Sequence, residues 1–451
     1  MKFFRASILA ALATAVIASP APAVEQEVKK VSYDGYRVFR VWTHGQPNAI
    51  REKLDAALPG GYTEWVDDGA HLDVVVPPAG ISDFETLEGK LKYKVIHEDL
   101  GASITGESAD PVPSHKWKRQ EGGDNDAWFD SYHNYEDHIQ FFKDIQTSFP
   151  NNSKIVSSGK SLQGRNIFGI QLYGSGGPGK KAIVYHGTVH AREWIAALVL
   201  EYITHQLASG YASGDELVTT ILDKYDFFIF PIVNPDGFVY SQVADRLWRK
   251  GRHAPPASAP DQRCLGRDIN RNWEFGWDSD PRGASTNPCA QTYRGEAPSD
   301  TPENKGLDAF LRQLRNGPGI KLFIDWHSYG QYILSPYGNR ETLYAPELGK
   351  WTKAANLLSE AIRDSSPART TFTFGPSGAV LYPTTGAAPD HAYSIARAEF
   401  SYTIELRDTG DFGFVLPPEL IRPTAEEQWA GQKELLPILD EEFFDGIGEV
   451  L

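Results

Sequence analysis

The chain has 451 residues, with 44 Lys and Arg against 59 Asp and Glu, a formal net charge of −15. An apolar share of 41% beside 23% charged residues is a globular composition and excludes a disordered chain. The acidic balance repels polyanions on average, which argues against a nucleic-acid binder or a partner of anionic membranes.

The N-terminus carries Lys2 and Arg5, then the apolar run Ile8–Ala18 and the small residues Ala21-Pro22-Ala23. The run is too short to span a bilayer, and its flanks are those of a secretory leader. Residues 1–23 therefore read as a signal peptide, cut after Ala23 or alternatively after Ala18, and the protein as secreted and extracellular. No other apolar segment is long enough to cross a membrane. Residues 24–98 form a small unit. Tyr36–Thr43, Leu72–Val76 and Tyr93–Ile96 are strand candidates, with Gly61–Val66 as an extra one. Ile50, Leu54 and Leu58 repeat at helical spacing; so do Phe84, Leu87 and Leu91, behind a possible capping box of Ser82 and Glu85. That order suits a ferredoxin-like α+β sandwich. Residues 99–125, dominated by Gly, Ser, Asp and Pro, read as an exposed linker. Lys118-Arg119 within it is a dibasic pair that an activating protease could cut near Arg119.

Over residues 126–451 the apolar runs Ala182–Gly187, Phe227–Val233, Leu322–Trp326 and Tyr402–Leu406 alternate with helix-like stretches at 193–208, 301–315, 346–362 and 424–440. Continuous apolar strands between helices predict an α/β domain: a mixed, mostly parallel sheet covered by helices on both faces. Gly174–Lys181 matches a Walker loop loosely, but Lys181 stands where Ser or Thr is required and a strand follows, so the segment reads as a turn. The two cysteines, Cys264 and Cys289, suggest one disulfide in a secreted chain, closing a loop of about 25 residues, or else two free thiols. Asn151-Asn152-Ser153 is a glycosylation sequon, a weak signal on its own.

His190 and Glu193 lie three apart where the run Ala182–Gly187 gives way to a helix, and His327 closes the run Leu322–Trp326. Two imidazoles and a carboxylate leave a fourth position for water, as in a catalytic rather than a structural zinc site. By spacing alone H-x-x-E is weak, and two surface residues remain the commoner explanation of such a match. His186, four before His190, is a further candidate that strand-end packing explains better.

Five blocks narrow the choice: Thr188-Val189-His190-Ala191-Arg192-Glu193-Trp194-Ile195, Val233-Asn234-Pro235-Asp236-Gly237, Leu247-Trp248-Arg249-Lys250, Asp268-Ile269-Asn270-Arg271-Asn272-Trp273 and Thr403-Ile404-Glu405-Leu406-Arg407-Asp408-Thr409-Gly410. In content and order they resemble the metallocarboxypeptidase A/B family, across roughly 130–440. The resemblance implies an eight-stranded sheet, one Zn2+ per chain held by His190, Glu193 and His327, and Asp268 orienting an imidazole from behind. It implies Glu405 as the proton-transferring base and Arg249 as the group that polarises the scissile carbonyl. Asn270 and Arg271 match the clamp on the substrate's terminal carboxylate, where a guanidinium's planar fork is the right chemistry. Tyr382 matches a mobile tyrosine that closes over the terminal residue, and Arg192, Tyr329 and Phe414 match subsites further up the peptide. Cys264 and Cys289 match a family disulfide. A noncatalytic peptide-binding homologue would lack a ligand or the glutamate, and this chain keeps both.

Leu334, Gly338, Thr403 and Pro389 fall at positions that in the family this chain resembles line the pocket for the terminal side chain. Basic-specific members carry Asp where this chain has Pro389, so apolar or aromatic ends are expected. Asp390 is next door, however, and a one-residue shift would turn the pocket toward Lys or Arg. Ser377 stands where an apolar residue is common. Residues 24–98 then correspond to an activation pro-domain that keeps the precursor silent. The expected partners are peptide C-termini and an activating protease, not nucleic acid or membrane, and the expected state is a monomer.

Overall fold

The computed structural model describes residues 30–108 and 125–440. The leader read over 1–23 and the Lys118-Arg119 pair lie outside the described residues.

The small unit contains β1 (Arg37–Trp42), β2 (Thr63–Asp67), β3 (His71–Val76) and β4 (Tyr93–His97), in the sheet order β2-β3-β1-β4 with every neighbouring pair antiparallel. Helix α1 (Pro47–Ala57) starts with proline in its first turn, where the missing N–H costs nothing, and buries Ile50 and Leu54. Helix α2 is only five residues, Ile81–Glu85; Ser82 lies inside it rather than before it, so the expected capping box does not form. Leu87 and Leu91 still reach the core from the turn that follows. Side chains alternate across the sheet. Phe39, Val41, Leu72, Val74 and Val76 pack on the unit's own helices. Val38 and Val75 face the other way, and with Trp65 they pack on Leu247, Tyr329, Phe414 and Val415 of the large unit.

Residues Leu100–Glu107, read from composition as the start of the linker, are helical (α3). The Asp99 side chain caps this helix by accepting the Ala102 N–H at 3.1 Å. Its last residue, Glu107, is buried and accepts two bonds from Arg246, at 2.5 and 2.6 Å.

The large unit has one eight-stranded sheet. Its strands are β5 (Ser153–Lys160), β6 (Asn166–Leu172), β7 (Ala182–Gly187), β8 (Asp226–Phe230), β9 (Ile320–Ser328), β10 (Tyr332–Ser335), β11 (Thr373–Pro376) and β12 (Phe400–Leu406). The order is β11-β10-β12-β9-β7-β8-β6-β5. The central strands β12, β9, β7 and β8 run parallel; β10 joins β12, β6 joins β8 and β5 joins β6 antiparallel, and β11 pairs parallel with β10 at the edge. Every residue of β7, β8 and β9 is buried, as their unbroken apolar runs require. β8 stops at Phe230, short of the expected Val233, because Pro231 has no N–H to continue the ladder. Alternation again divides the core. Ile183, Tyr185, Ile324 and Trp326 meet the helices Ile195–Ser213, Leu348–Ser365 and Ile421–Leu435. Val184, Phe228, Phe230 and Phe323 meet the helices Pro302–Asn316 and Ala388–Ser394. Cys264 and Cys289 are joined in a disulfide.

The Glu107–Arg246 pair is the one ionic contact between α3 and the large unit that is fully withdrawn from water on both sides, with side chains 1% and 3% exposed. Breaking such a pair strands a buried charge at a cost of about 3–5 kcal/mol, whereas replacing both partners removes the penalty. Glu107→Ala should therefore lower the thermal midpoint of the full chain sharply. Glu107→Leu combined with Arg246→Met should recover only part of that loss, because Arg246 also donates to Arg192 O at 2.8 Å and Phe414 O at 2.7 Å; thermal melts followed by circular dichroism would register both effects.

Candidate active site

His190 and Glu193 sit on the turn between β7 and the helix Ile195–Ser213, at the carboxyl edge of the parallel strands, where α/β sheets bind ligands. A Cβ on Gly187, the last residue of β7, would come within 2.8 Å of Leu200 Cδ1 and 3.0 Å of Pro231 O, so glycine suits this close approach. Thr188 follows with φ of 54°, held by its hydroxyl bond to Pro231 O at 2.9 Å. His327 comes from the end of β9, inside the strand rather than beyond it. The three side chains converge. His190 Nδ1 lies 2.8 Å from Glu193 Oε1, His327 Nδ1 lies 3.0 Å from Glu193 Oε2, and the two Nδ1 atoms are 3.1 Å apart. On the far sides, His190 Nε2 is 3.2 Å from Asp268 Oδ1 and His327 Nε2 is 2.8 Å from Asp325 Oδ2. Each outer carboxylate stands where it can take the ring's N–H, and the tautomer that does so leaves a lone pair on each Nδ1. Two lone pairs and a carboxylate aimed at one point repel one another unless a cation lies between them. Tetrahedral zinc bound at 2.0–2.1 Å sets nitrogens about 3.3 Å apart, so this donor set fits zinc in chemistry and in spacing.

Asp268 ties this cluster to its surroundings. Its Oδ2 accepts Arg249 Nε at 3.1 Å and Nη2 at 2.9 Å, and its Oδ1 accepts the Asn270 N–H at 2.9 Å. The short 3-10 turn Ile269–Arg271 therefore hangs from the same carboxylate that backs His190. Asn270 Oδ1 accepts the Ala388 N–H at 2.8 Å, which fixes its amide orientation. Arg271 donates to Asn270 O, and its Nε has no hydrogen-bond partner among the described residues. Glu405 pairs with His327 across the parallel β12/β9 ladder. Burial pushes its pKa up, Glu193 adds to the rise, and the charge of Arg249 opposes it.

A single cavity of about 680 Å3 collects these groups. Every metal, catalytic and substrate residue expected from the sequence lines it, apart from Asp268, which stands behind His190. Tyr382 is 38% exposed at its mouth. Leu334, Gly338, Thr403 and Pro389 also line it, together with Ser377, Thr384 and Asp390. Residues of the small unit, among them Arg51, Glu64, Trp65 and Asp67, complete the lining. Three of the expected substrate residues are engaged by that unit. Arg192 Nη2 donates to Trp65 O at 3.3 Å, Tyr329 Oη donates to Asp73 Oδ2 at 2.5 Å, and the Trp65 ring meets Phe414 edge-on at 5.4 Å. Arg192 also lies 3.9 Å over the Phe414 ring. Asp73 is held in turn by Arg40 at 2.6 and 2.7 Å, and Arg40 reaches Thr409 O.

His186 stays outside the metal cluster. Its ring packs between Phe230 and Phe323, and burial drives its pKa down to about 4. Asp325 is a residue that the sequence reading passed over. Its signal was a lone acid within the apolar β9 run Ile320–Ser328, two positions before His327. Among the described residues no helix is long and apolar enough to cross a membrane.

The family model for zinc carboxypeptidases matches residues 138–431. A metallocarboxypeptidase A-like protein of Trichophyton verrucosum is 41% identical over 413 residues, covering 90% of this chain and 94% of its own. Carboxypeptidase A4 of Mus musculus is 34% identical, covering 81% of this chain and 83% of its own. Among solved structures, the carboxypeptidase A from Helicoverpa armigera superposes with a TM-score of 0.74 at 26% identity, over 90% of this chain and 98% of that one. Thrombin-activatable fibrinolysis inhibitor shares the fold, with a TM-score of 0.78 at 24% identity, over 89% and 98% of the two chains. With the donor set, the sheet and these likenesses in agreement, the chain belongs to the zinc carboxypeptidase family and is a metallocarboxypeptidase A-like hydrolase.

Proposed function

We propose that this protein is a secreted zinc exopeptidase, made as a precursor, that removes apolar or aromatic residues from peptide C-termini. The observation that carries the reading is the convergence of the His190 and His327 Nδ1 atoms and the Glu193 carboxylate in the same cavity as Glu405, Arg249 and the Asn270–Arg271 turn. His190, Glu193 and His327 would hold one zinc ion, which supplies a Lewis acid and a water acidified toward neutral pH. Arg271 and the Asn270 amide hold the substrate's terminal carboxylate, which makes the enzyme an exopeptidase. Arg249, kept in place by Asp268, offers its guanidinium to the carbonyl oxygen as negative charge develops there. Glu405, made more basic by burial, takes the proton of the attacking water and returns it to the leaving amine. Tyr382, exposed at the mouth, closes over the terminal residue.

The preference for apolar ends rests on Asp390. Both of its oxygens accept the Gly338 N–H at 3.0 Å, and Oδ2 also accepts the Asn339 N–H at 3.1 Å. Burial pushes its pKa up to about 7 against the pull of those two backbone bonds. A carboxyl engaged with backbone and half neutral at physiological pH is a poor anchor for a bound cation. Pro389 beside it offers no charge. A basic-specific pocket needs an ionised, free carboxylate, and the residues here do not favour one.

The precursor reading is supported by the small unit's hold on Arg192, Tyr329 and Phe414. It assigns residues 24–98 as the pro-domain, and its release to a protease that cuts near Arg119. A monomer suffices, because the described site is built from one chain.

Hydrolysis of two blocked dipeptides, one ending in Phe and one in Arg, by the zinc-loaded, linker-cut protein tests the first part. The Phe substrate should be cleaved and the Arg substrate should not. Glu405→Gln should retain zinc and lose about 10²–10⁴-fold in kcat; preference for Arg would hand the pocket to Asp390. The precursor reading requires the cut chain to outpace the uncut one on the same substrate, and equal rates would remove it. Asp390 makes a separate prediction. Its folded pKa is raised, so between about pH 4 and about pH 7 the folded state binds more protons than the unfolded one, and stability falls as pH rises through that window. Asp390→Asn removes that slope. Its thermal midpoint relative to the parent protein should rise between about pH 4.5 and about pH 8; a constant difference would show that Asp390 does not titrate there.

A further inference from the structure

We propose that Asp325 is a positioning residue of the metal centre: its carboxylate holds His327 in the tautomer that turns the Nδ1 lone pair toward His190 and Glu193. The inference rests on the reading of His190, Glu193 and His327 as zinc ligands. Residues two apart on a strand share a face, so Asp325 and His327 point the same way from β9. Asp325 is 1% exposed, in a strand buried along its whole length. A carboxylate in such a place is costly unless a partner compensates it. Among the described residues its hydrogen-bond partner is His327 Nε2, at 2.8 Å. Its cross-strand neighbours are His186 on β7 and Thr403 on β12.

A competitor sharpens the point. Asn270 Nδ2 lies 3.3 Å from the same Nε2, and because Asn270 Oδ1 is taken by Ala388 N–H, it is the amide nitrogen that faces the ring. If Nε2 accepted from Asn270, the proton would move to Nδ1 and point at Glu193, and His327 could not be a ligand. The contact to Asp325 is half an ångström shorter and is assisted by charge, so it wins, and Nε2 carries the proton. Asn270 then has an amide N–H left over for a substrate carboxylate. One buried acid thus settles both a ligand's tautomer and a substrate donor's availability. Asp268 does the corresponding work behind His190 at 3.2 Å, but it is shared with Arg249, whereas Asp325 serves His327.

The test is zinc affinity of the full chain, measured by competition with a chromophoric chelator, with circular dichroism to check that each variant is folded. Asp325→Leu should weaken zinc about 10–100-fold, the usual effect of losing such a partner. Asp325→Asn keeps an oxygen that can accept Nε2–H and should fall between the parent and the leucine variant. Parent-like affinity in Asp325→Leu would overturn the inference and leave the ligands standing. Parent-like affinity in His327→Ala would instead overturn the ligand reading beneath it. Should the leucine variant not fold, proton NMR of the zinc-loaded parent carries the test. The His327 Nε2–H should appear as a slowly exchanging downfield signal that moves upfield in Asp325→Asn, and an unmoved signal would sink the proposal.

Discussion

Two imidazole nitrogens facing each other across 3.1 Å, with a carboxylate against both, repel one another unless a cation lies between them. The arrangement is set from behind. Asp268 and Asp325 draw the ring protons outward and so keep both Nδ1 atoms open. Asp268 also carries Arg249 and the Asn270 N–H, so it sets the positions of a ligand candidate, a guanidinium and a substrate-binding turn relative to one another. The cost of burying these acids is met by the imidazoles, the guanidinium and the backbone N–H groups around them. The geometry of the cavity follows from this shell more than from the residues that face the substrate.

The sheet makes the shell possible. β7, β9 and β12 lie side by side and parallel, so their carboxyl ends arrive at one edge in register. His190 and Glu193 come off the end of β7, His327 and Asp325 from the end of β9, and Glu405 stands opposite His327 on β12. A shift of one residue in the β12/β9 ladder would turn Glu405 to the other face of the sheet. Burial of all nine β9 residues on both faces of the sheet is what prevents such a slip.

The sequence disclosed whatever was periodic or motif-bound. The apolar runs gave the central strands, and their ends fell within a few residues of those expected. The blocks around His190, Asp268 and Glu405 gave the residues that line the cavity. What it concealed was contact between units. α3 was hidden because its Gly-, Ala- and Ser-rich sequence looks like a linker; its apolar content is low, and its stability comes from the Asp99 cap and the Glu107–Arg246 pair, both of which need the fold to be seen. The pocket register at Pro389 and Asp390 was ambiguous for a similar reason. Adjacent residues differ in direction, not in pattern; both line the cavity, and the Asp390 carboxylate accepts the Gly338 and Asn339 N–H groups. Asp325 was overlooked because an acid in an apolar strand was averaged into its neighbours.

The small unit shows how a sheet can have two apolar faces without becoming an aggregation hazard. One face is satisfied by its own helices, and the other, with Val38, Val75 and Trp65, lies on the large unit beside the cavity. Hydrophobic contact alone would be non-directional. Orientation comes from polar pairs around the rim: Asp73 with Tyr329, Arg40 with Thr409 O, His97 Nε2 with Phe412 O at 2.9 Å, and Lys94 with Asp411 at 2.8 Å. Lys94 and Asp411 are exposed and contribute little, whereas the Asp73 and Glu107 contacts are buried and decide the fit. Separating the units would leave the acids Asp73 and Glu107 to be resolvated and would uncover the second apolar face at the same moment. On the proposed precursor reading, a cut in the linker does not by itself release the small unit; it makes dissociation a bimolecular equilibrium, in which dilution and digestion of the freed piece favour the open cavity.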